Sequence, residues 1–247
     1  MLGKRACAKK LMKRLKLCRI EGHTFVGSLI SKDSTVLDLG ANRGAFSLEI
    51  KRRFGCAVHA VEPTPELAGE LRNREHVTVY EAAVSASGRD LLFKIDRQNS
   101  EASSLVTEPG EGVIAVPGIT LDRLLKKIRK VDLIKIDVED SEIGILMTVP
   151  EELIKNVSQV TVEFHDFKKG SDFTPELFGQ VCDRMNKLGF ATMVMSYWTK
   201  GDVLFLNRKH LAWEALDKFA LEIRGRWIPG IARTAKRLFN SRSRTSC

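Results

Sequence analysis

The sequence has few cysteines and no long apolar run. Its five cysteines are scattered, and none belongs to a Cys-x-x-Cys pair: Cys7, Cys18, Cys56, Cys182 and Cys247. An odd number at this spacing argues against a disulfide framework and a zinc site, so we expect free thiols and a cytoplasmic location. No apolar stretch approaches the roughly 18 residues of a membrane-spanning helix. The start of the chain has no apolar segment of the kind found in a secretory signal, so we expect no such signal.

Acidic residues are missing from both ends of the chain. Residues 1–19 carry eight Lys or Arg and residues 224–247 carry seven, so the net charge of +9 comes from two basic tails. The residues between them carry 25 basic and 31 acidic side chains. Such tails can contact an anionic surface, such as a membrane in peripheral association. For residues 4–19 the favoured interpretation is a solvated helix at the edge of the domain, because its apolar stripe is narrow. The acidic body argues against a specific nucleic-acid partner.

Patterning indicates one α/β domain with basic extensions. Apolar strands alternate with helices along the first half, over Thr35–Leu39, Ala45–Phe54, Ala57–Val61, Pro65–Arg74 and Val77–Val84. This alternation predicts a parallel sheet with helices on both faces. Later in the chain, Asn99–Gly112 is predicted as a loop, and Phe190–Tyr197 with Asp202–Leu206 as an antiparallel hairpin. We predict a basic helical extension over 1–33, with a helix at 4–19, a catalytic domain over 34–207 and a basic helical tail over 208–247.

The first strand ends in a turn that contains two glycines. Asp38 lies near the carboxyl end of the strand, and Gly40 and Gly44 flank the turn into the first helix. Open α/β sheets bind ligands at the carboxyl ends of their strands, and glycine permits close approach of a ligand. The spacing is not Gly-x-Gly-x-x-Gly, because Asn42 replaces a glycine, and no phosphate-loop Lys-Ser/Thr follows. The acid before the glycines favours a cationic amino-acid ligand over a pyrophosphate.

Glu62 ends the second strand. It lies 22 residues after Gly40, close to the interval of about 20 at which a ribose-binding acid is expected. A carboxylate only accepts hydrogen bonds, so it can receive both ribose hydroxyls of a nucleoside. An ordinary surface acid at a strand end is the alternative interpretation.

Four segments, in this order, resemble the motifs of the FkbM family of class I methyltransferases. They are Val36–Gly44 with Phe46–Leu48, then Val61–Pro63, Ala82–Ser85 and Val131–Glu139, within a resemblance that covers residues 34–206. The resemblance implies a Rossmann-like, mainly parallel seven-stranded sheet with a C-terminal antiparallel hairpin and helices on both faces. It implies S-adenosylmethionine as cofactor. It also implies methylation of a hydroxyl oxygen, so we expect a small-molecule or saccharide acceptor as partner.

The same resemblance implies the roles of individual residues. It places the cofactor against Asp38, Gly40, Asn42, Gly44, Glu62, Glu81, Ala82 and Asp137. Of these, Asp38, Gly40 and Asn42 would line the methionine part, Glu62 would hold the ribose, and Glu81 and Ala82 would flank the adenine. Asp137 and Glu139 would lie beside the reacting methyl group. Asp140 replaces a glycine that is usual in the family, and Asp tolerates a positive φ better than most residues.

A hydroxyl acceptor is a poor nucleophile at neutral pH, so a base or a metal is expected near it. Asp137 and Glu139 are candidates, each with a structural or cofactor-orienting role as the alternative. His165 titrates in the right range and shares a strand face with Glu163; its alternative is a hydrogen-bonded histidine at a strand end. These carboxylates and His165 are of the type that magnesium or manganese accepts. No ligand spacing requires a metal, and we predict none.

Three other functions remain open from the residues alone. A Rossmann-type NAD-dependent oxidoreductase is disfavoured by the missing Gly-x-Gly-x-x-Gly spacing. A non-enzymatic binding module is disfavoured by the set Asp38, Glu62 and Asp137. An RNA methyltransferase is suggested by the basic tails, but the acidic body and the lack of an aromatic-proline base-binding motif argue against it.

Overall fold

The computed structural model describes residues 16–74, 77–94, 104–106, 108, 110–166, 173–196 and 199–210. Its strands are β1 Leu17–Ile20, β2 His23–Val26, β3 Thr35–Leu39, β4 Ala57–Glu62, β5 Val77–Glu81, β6 Ala83–Val84, β7 Leu91–Lys94, β8 Ser104–Val106, β9 Val113–Val116, β10 Gly118–Ile119, β11 Leu133–Ile136, β12 Gln159–Val162, β13 Phe190–Val194 and β14 Val203–Asn207. Its α-helices are α1 Ala45–Phe54, α2 Pro65–Arg72, α3 Leu121–Ile128, α4 Glu142–Thr148, α5 Glu151–Ile154 and α6 Pro175–Lys187. Short 3₁₀ turns occupy Gly27–Leu29 and Arg208–His210.

A seven-stranded sheet in the order β13-β14-β12-β11-β3-β4-β5 forms the centre. The five strands from β12 to β5 are parallel, whereas β14 runs antiparallel to β12 and β13 antiparallel to β14. This arrangement confirms the predicted fold class, including the antiparallel C-terminal hairpin. No helix of the described residues is long and apolar enough to cross a membrane.

Strand alternation sends side chains to two cores, one on each face of the sheet. Val36 and Leu133 pack with Phe46 and Ile50 of α1. Their strand neighbours, including Leu37 and Ile134, pack into a larger cluster with apolar residues of α3, α4 and α6. Both faces of a mainly parallel sheet are therefore covered by helices, as the near-continuous apolar strands require.

The N-terminal segment differs from the predicted helical extension. Leu17–Ile20 pairs antiparallel with His23–Val26, so residues 17–19 of the predicted helix form a strand instead. His23–Val26 is buried throughout, and the N–H of Val26 donates to Oε1 of Gln159 on β12 at 2.8 Å. Docking against the central sheet thus outweighs local helix propensity. Residues 1–15 lie outside the described residues, as do residues 211–247 of the predicted tail.

Two small sheets complete the described fold. Ser104–Val106 pairs with β7, although it falls within the predicted loop Asn99–Gly112. The neighbouring strand supplies the backbone partners that the polar sequence did not reveal. The predicted strand Val77–Val84 divides, because Ala83–Val84 leaves the central sheet and pairs with β10. The short helix Glu151–Ile154 was not predicted.

Candidate active site

The predicted site residues lie where the parallel strands end. Leu39 of β3 lies between Ile136 of β11 and Val61 of β4 in the register. Each of these three residues is followed by a candidate site residue. Gly40 follows Leu39, Asp137 follows Ile136 and Glu62 follows Val61. Glu62 in turn pairs with Glu81 of β5. The carboxyl edge of the sheet brings together residues that are up to about a hundred positions apart in sequence, as expected for open α/β sheets.

Gly40 and Gly44 shape the turn after β3. Gly40 has a φ of +75°, and a Cβ there would lie 1.7 Å from the carbonyl oxygen of Asp137. Gly44 has a φ of +81°, and a Cβ there would lie 2.2 Å from Leu71 Cδ2. A side chain at either position would clash and adopt an unfavourable backbone conformation. Between them, Asn42 has a φ of +49°, which asparagine tolerates better than most residues.

Glu62 is fixed to this turn by its carboxylate. Oε2 accepts the backbone N–H of Asn42 at 2.7 Å, and Oε1 accepts the N–H of Thr64 at 2.9 Å. Burial raises the pKa of Glu62, although these two donors favour the charged form. Each carboxylate oxygen retains capacity for another hydrogen bond. In the part of the chain described, the buried Oδ1 of Asn42 has no hydrogen-bond partner, so it can accept from a ligand.

Glu81 and Ala82 lie beside Glu62 at the end of β5. Their contact with an adenine stays a prediction. The N–H of Ala82 donates to the carbonyl oxygen of Glu62 at 3.3 Å. Ala82 is buried, whereas the Glu81 carboxylate is partly exposed and pairs with Arg72 of α2 at 2.7 Å. The pair therefore presents a small apolar side chain and an ion-paired acid next to the end of β4.

Lys135 is a central site residue that the sequence analysis missed. Its Nζ donates to the carbonyl oxygen of Gly40 at 2.6 Å and lies 3.2 Å from both Asp38 Oδ1 and Asp137 Oδ2. Burial disfavours the charged ammonium, but the two carboxylates outweigh burial and raise the pKa of Lys135. A lysine in an otherwise apolar buried strand was the signal that could have revealed it.

Asp38 acts within the protein. Its side chain has no exposed surface, and it accepts the Ser47 hydroxyl at 2.6 Å as well as pairing with Lys135. Asp38 therefore acts on the edge of the sheet indirectly. It pairs with Lys135, and the Nζ of Lys135 donates to the carbonyl oxygen of Gly40. The predicted contact of Asp38 with a cofactor remains a prediction.

Asp137 is the most heavily engaged acid of the site. Its Oδ2 lies near Lys135 and 3.5 Å from His23 Nε2, and its Oδ1 lies 3.7 Å from His165 Nε2. Burial alone would raise the pKa of Asp137, but Lys135, together with the histidines, outweighs burial and holds this pKa below its ordinary value. Asp137 is therefore a carboxylate of low basicity.

His165 lies between two carboxylates. Nδ1 is 3.0 Å from Glu142 Oε1, and Nε2 is 3.4 Å from Glu139 Oε2. Burial disfavours the imidazolium, but the hydrogen bonds to Glu139 and Glu142 outweigh burial and raise the pKa of His165 to about 11. A protonated imidazole has no free lone pair, so in this geometry His165 holds the two acids instead of accepting a proton.

The loop after β11 contains Asp140, which stands where the family that the sequence resembles usually has a glycine. Asp140 has a φ of +87°, and Glu139 before it has a φ of +56°. Asp140 therefore adopts a positive-φ conformation, which aspartate tolerates better than most residues. Oε1 of Glu142 accepts the N–H of Val138 at 3.1 Å, so the acid that contacts His165 also fixes this loop.

His23 and Glu163 complete the cluster around Asp137. His23 comes from β2 and is 1% exposed, with Nε2 3.9 Å from Glu163 Oε2. Its ring meets Phe46 edge-on at 5.8 Å between centroids. No sequence motif contains His23, because the N-terminal hairpin brings it to the sheet by tertiary packing alone.

Among the residues that the structure describes, two groups of side chains place metal-type donor atoms within 4.8 Å of one another: His23, Asp137 and Glu163, and Asp137, Glu139 and His165. The chain's own cations are already among these acids. Lys135 lies against Asp137 in both groups, and the second group also contains the protonated His165. We assign neither group as a metal site, and the absence of a metal stays a prediction.

Comparison with known proteins adds a family. Residues 38–191 match the family model described as the methyltransferase FkbM domain. The match contains every predicted site residue and leaves out His23. No curated protein matches the chain.

Several solved methyltransferases are similar at low identity. A precorrin-6y C5,15-methyltransferase from Geobacter metallireducens is 12% identical, with 82% of this chain and 88% of that chain covered and a TM-score of 0.41. An rRNA methylase from Streptococcus thermophilus is 10% identical, with 72% and 88% covered and a TM-score of 0.41.

Proposed function

The chain belongs to the FkbM family of methyltransferases, and from that premise we propose that it moves a methyl group from S-adenosylmethionine to a hydroxyl oxygen of a small molecule or saccharide. The observation that carries the proposal is the hydrogen bond from the backbone N–H of Asn42 to the carboxylate of Glu62. This bond fixes a carboxylate that is suited to accept ribose hydroxyls, and it lies at the same sheet edge as the acid cluster around Asp137.

The residues at this edge fit S-adenosylmethionine. Glu62 has lone pairs for the ribose hydroxyls, and Glu81 and Ala82 lie beside it for the adenine. The buried Oδ1 of Asn42 is an acceptor for the amino group of the methionine part. When bound, the cofactor supplies a methyl group on a positively charged sulfur, which is reactive without help from protein chemistry. The protein's task is then to align donor and acceptor.

The charges at the edge favour a neutral hydroxylated acceptor. Lys135 and His165 are the cations next to Asp137 in the described structure, and both are engaged by carboxylates. A phosphate-bearing acceptor such as RNA needs cations that are available for its phosphates. Glu139 and Glu163 instead offer acceptor oxygens, which suit the hydroxyl donors of a sugar.

Three measurements test the proposal. Calorimetry should show binding of S-adenosylhomocysteine and none of NAD. Tritium from methyl-labelled S-adenosylmethionine should enter the small-molecule or glycan fraction of an extract from the source cells. Mass spectrometry of the product should then find an O-methyl group, and the Glu62→Ala variant should transfer less label at limiting cofactor.

Other results would overturn the proposal. Binding of NAD without S-adenosylhomocysteine would indicate an oxidoreductase. Label that enters only ribonuclease-sensitive material would indicate an RNA methyltransferase. Label on nitrogen or carbon would refute the hydroxyl acceptor while leaving methyl transfer intact.

A further inference from the structure

We propose that Glu163 is the base that takes the proton from the acceptor hydroxyl, and that His23 positions its carboxylate. The inference rests on the methyl-transfer function proposed above. It concerns two residues outside the predicted site, one of which precedes the segment that matches the family.

Glu163 lies beside Asp137 on the neighbouring strand. Its N–H donates to the carbonyl oxygen of Ile136 at 3.0 Å, which continues the β11–β12 ladder by one residue. Both carboxylates face the same imidazole nitrogen, because His23 Nε2 is 3.5 Å from Asp137 and 3.9 Å from Glu163. The Glu163 side chain is 29% exposed, against 2% for His23. Glu163 can therefore meet an acceptor, whereas His23 can act only through its neighbours.

The other candidate bases are engaged by cations. Lys135 lies 3.2 Å from Asp137 and weakens its basicity. The protonated His165 holds Glu139 and Glu142. Glu163 has no contact as short as these among the described ion pairs, since its contact with His23 is the longer 3.9 Å.

The surroundings of Glu163 strengthen it as a base. Burial raises its pKa above the ordinary value, and the nearby Asp137 carboxylate adds to this effect. The charges of His23, His165 and Lys135 oppose the rise without cancelling it. A carboxylate with a raised pKa accepts a proton more readily than an exposed glutamate does.

Buried hydrogen bonds hold His23 in place. Next to it, the N–H and hydroxyl of Thr24 donate to the two carboxylate oxygens of Asp202 at 2.9 and 2.6 Å. The buried Nδ1 of His23 has no partner within the described ranges. The polar contacts of the ring described here therefore run through Nε2, toward Asp137 and Glu163. Such fixed support keeps a base aligned with its proton.

The acceptor oxygen forms a bond to the methyl carbon as Glu163 takes the hydroxyl proton. The carbon–sulfur bond breaks, and its electron pair stays on sulfur, which becomes neutral. Glu163 then releases the proton to solvent through its exposed side, which restores the carboxylate.

The main test compares Glu163→Gln with the matched variant Glu176→Gln, which changes an exposed acid at the start of α6. The assay is tritium transfer from S-adenosylmethionine to the source-cell extract, measured across pH. Glu163→Gln should lower the transfer rate by about 10²- to 10⁴-fold and abolish the fall in rate on the acidic side of the profile. Its affinity for S-adenosylhomocysteine in calorimetry should stay unchanged. Glu176→Gln should match the wild type in all three.

His23 is tested through the same profile. His23→Phe keeps an aromatic ring but removes the nitrogen that faces Glu163, so the acidic limb should move to higher pH. His23→Gln, which can still donate a hydrogen bond, should restore the position of the limb. An unmoved limb in His23→Phe, or the same shift in both variants, would show that His23 only supports the fold.

Two outcomes would overturn the role of Glu163. One is a Glu163→Gln variant that keeps its acidic limb and its rate within about threefold. The other is a variant that loses transfer only because it no longer binds S-adenosylhomocysteine.

A separate measurement does not depend on the acceptor, namely carbon-13 NMR of glutamate carboxyls in the S-adenosylhomocysteine complex. The signal that is missing in Glu163→Gln should titrate above the ordinary range, and an ordinary titration would refute the proposal even if the hydroxyl acceptor itself proved wrong.

Discussion

The backbone N–H of Asn42 donates to Oε2 of Glu62 at 2.7 Å across twenty residues of sequence. This bond joins the glycine turn after β3 to the end of β4, so the position of the carboxylate depends on the conformation of the turn. In the ribose-binding role proposed for it, a carboxylate that is held by two backbone donors does not have to be ordered when the ligand arrives.

Loss of the Glu62 carboxylate should weaken cofactor binding. We expect Glu62→Ala to reduce the affinity for S-adenosylhomocysteine by about 1–3 kcal/mol, because charged hydrogen bonds to the ribose are lost. Glu66→Ala, which removes an exposed acid of α2, should leave the affinity unchanged. Isothermal calorimetry measures both, and equal affinities for the two variants would refute the ribose role.

Two glycines should respond in opposite ways to alanine. Gly40→Ala should destabilise the fold by several kcal/mol and abolish S-adenosylhomocysteine binding, because its Cβ would collide with the carbonyl oxygen of Asp137 at a φ of +75°. Gly69→Ala lies in α2 with nothing within 4 Å of the new Cβ. It should stabilise the protein by about 0.5–1 kcal/mol. Urea unfolding of both variants checks the pair, and equal midpoints would contradict it.

Removal of the Lys135 charge should be costly. Lys135→Met keeps most of the side-chain volume but leaves the fully buried Asp38 without its cation. Breaking a buried ion pair in this way costs about 3–5 kcal/mol. Lys130→Met, at an exposed lysine 3.7 Å from Asp132, should change stability by less than about 0.5 kcal/mol. Urea unfolding at pH 7 separates the two, and a loss below 1 kcal/mol for Lys135→Met would mean that Asp38 is neutralised by other means.

His165 should make stability depend on alkaline pH. Its pKa is raised from 6.5 in the unfolded chain to about 11 in the fold, so the folded state holds its proton more tightly. Its contribution is therefore complete below about pH 6.5 and is lost as pH rises toward 11. The stability gap between wild type and His165→Gln, measured by urea unfolding, should shrink over that range. His59→Gln is the control, since burial lowers the pKa of His59 below 6.5 and its stability gap should therefore stay constant over that range. A constant gap for His165→Gln would contradict the assignment.

Sequence periodicity predicted the elements whose own residues determine them. Thr35–Leu39 and Ala45–Phe54 have the predicted bounds, because an apolar β-branched run and an amphipathic segment are separated by a turn with two glycines. The strand Ser104–Val106 was not predictable in this way, since it is three residues long within a largely polar segment and forms by pairing with β7.

The candidate site also contains residues that the local sequence predicts and residues that only tertiary packing brings in. Glu62 and Asp137 were found because ligand sites follow strand ends, a rule that sequence order can express. His23 could not be found, because its place beside Asp137 depends on how a separate hairpin docks on the sheet. The basicity of the candidates also lay beyond the sequence, since it depends on which cation lies against which acid. Lys135 lowers the basicity of Asp137. Glu142, together with Glu139, holds His165 in its protonated form.

The bond between Thr24 and Asp202 spans 178 residues of the chain. On a ribosome, His23 therefore cannot be locked beside Asp137 until the strand that follows Asp202 has been made. A shortened chain that ends before Asp202 would contain Glu62, Asp137 and Glu163. It would lack the hydrogen bonds between Thr24 of the hairpin and Asp202. Closure of such a distant contact late in synthesis means that nascent chains contain the proposed cofactor-binding residues before the hairpin that carries His23 is held in place.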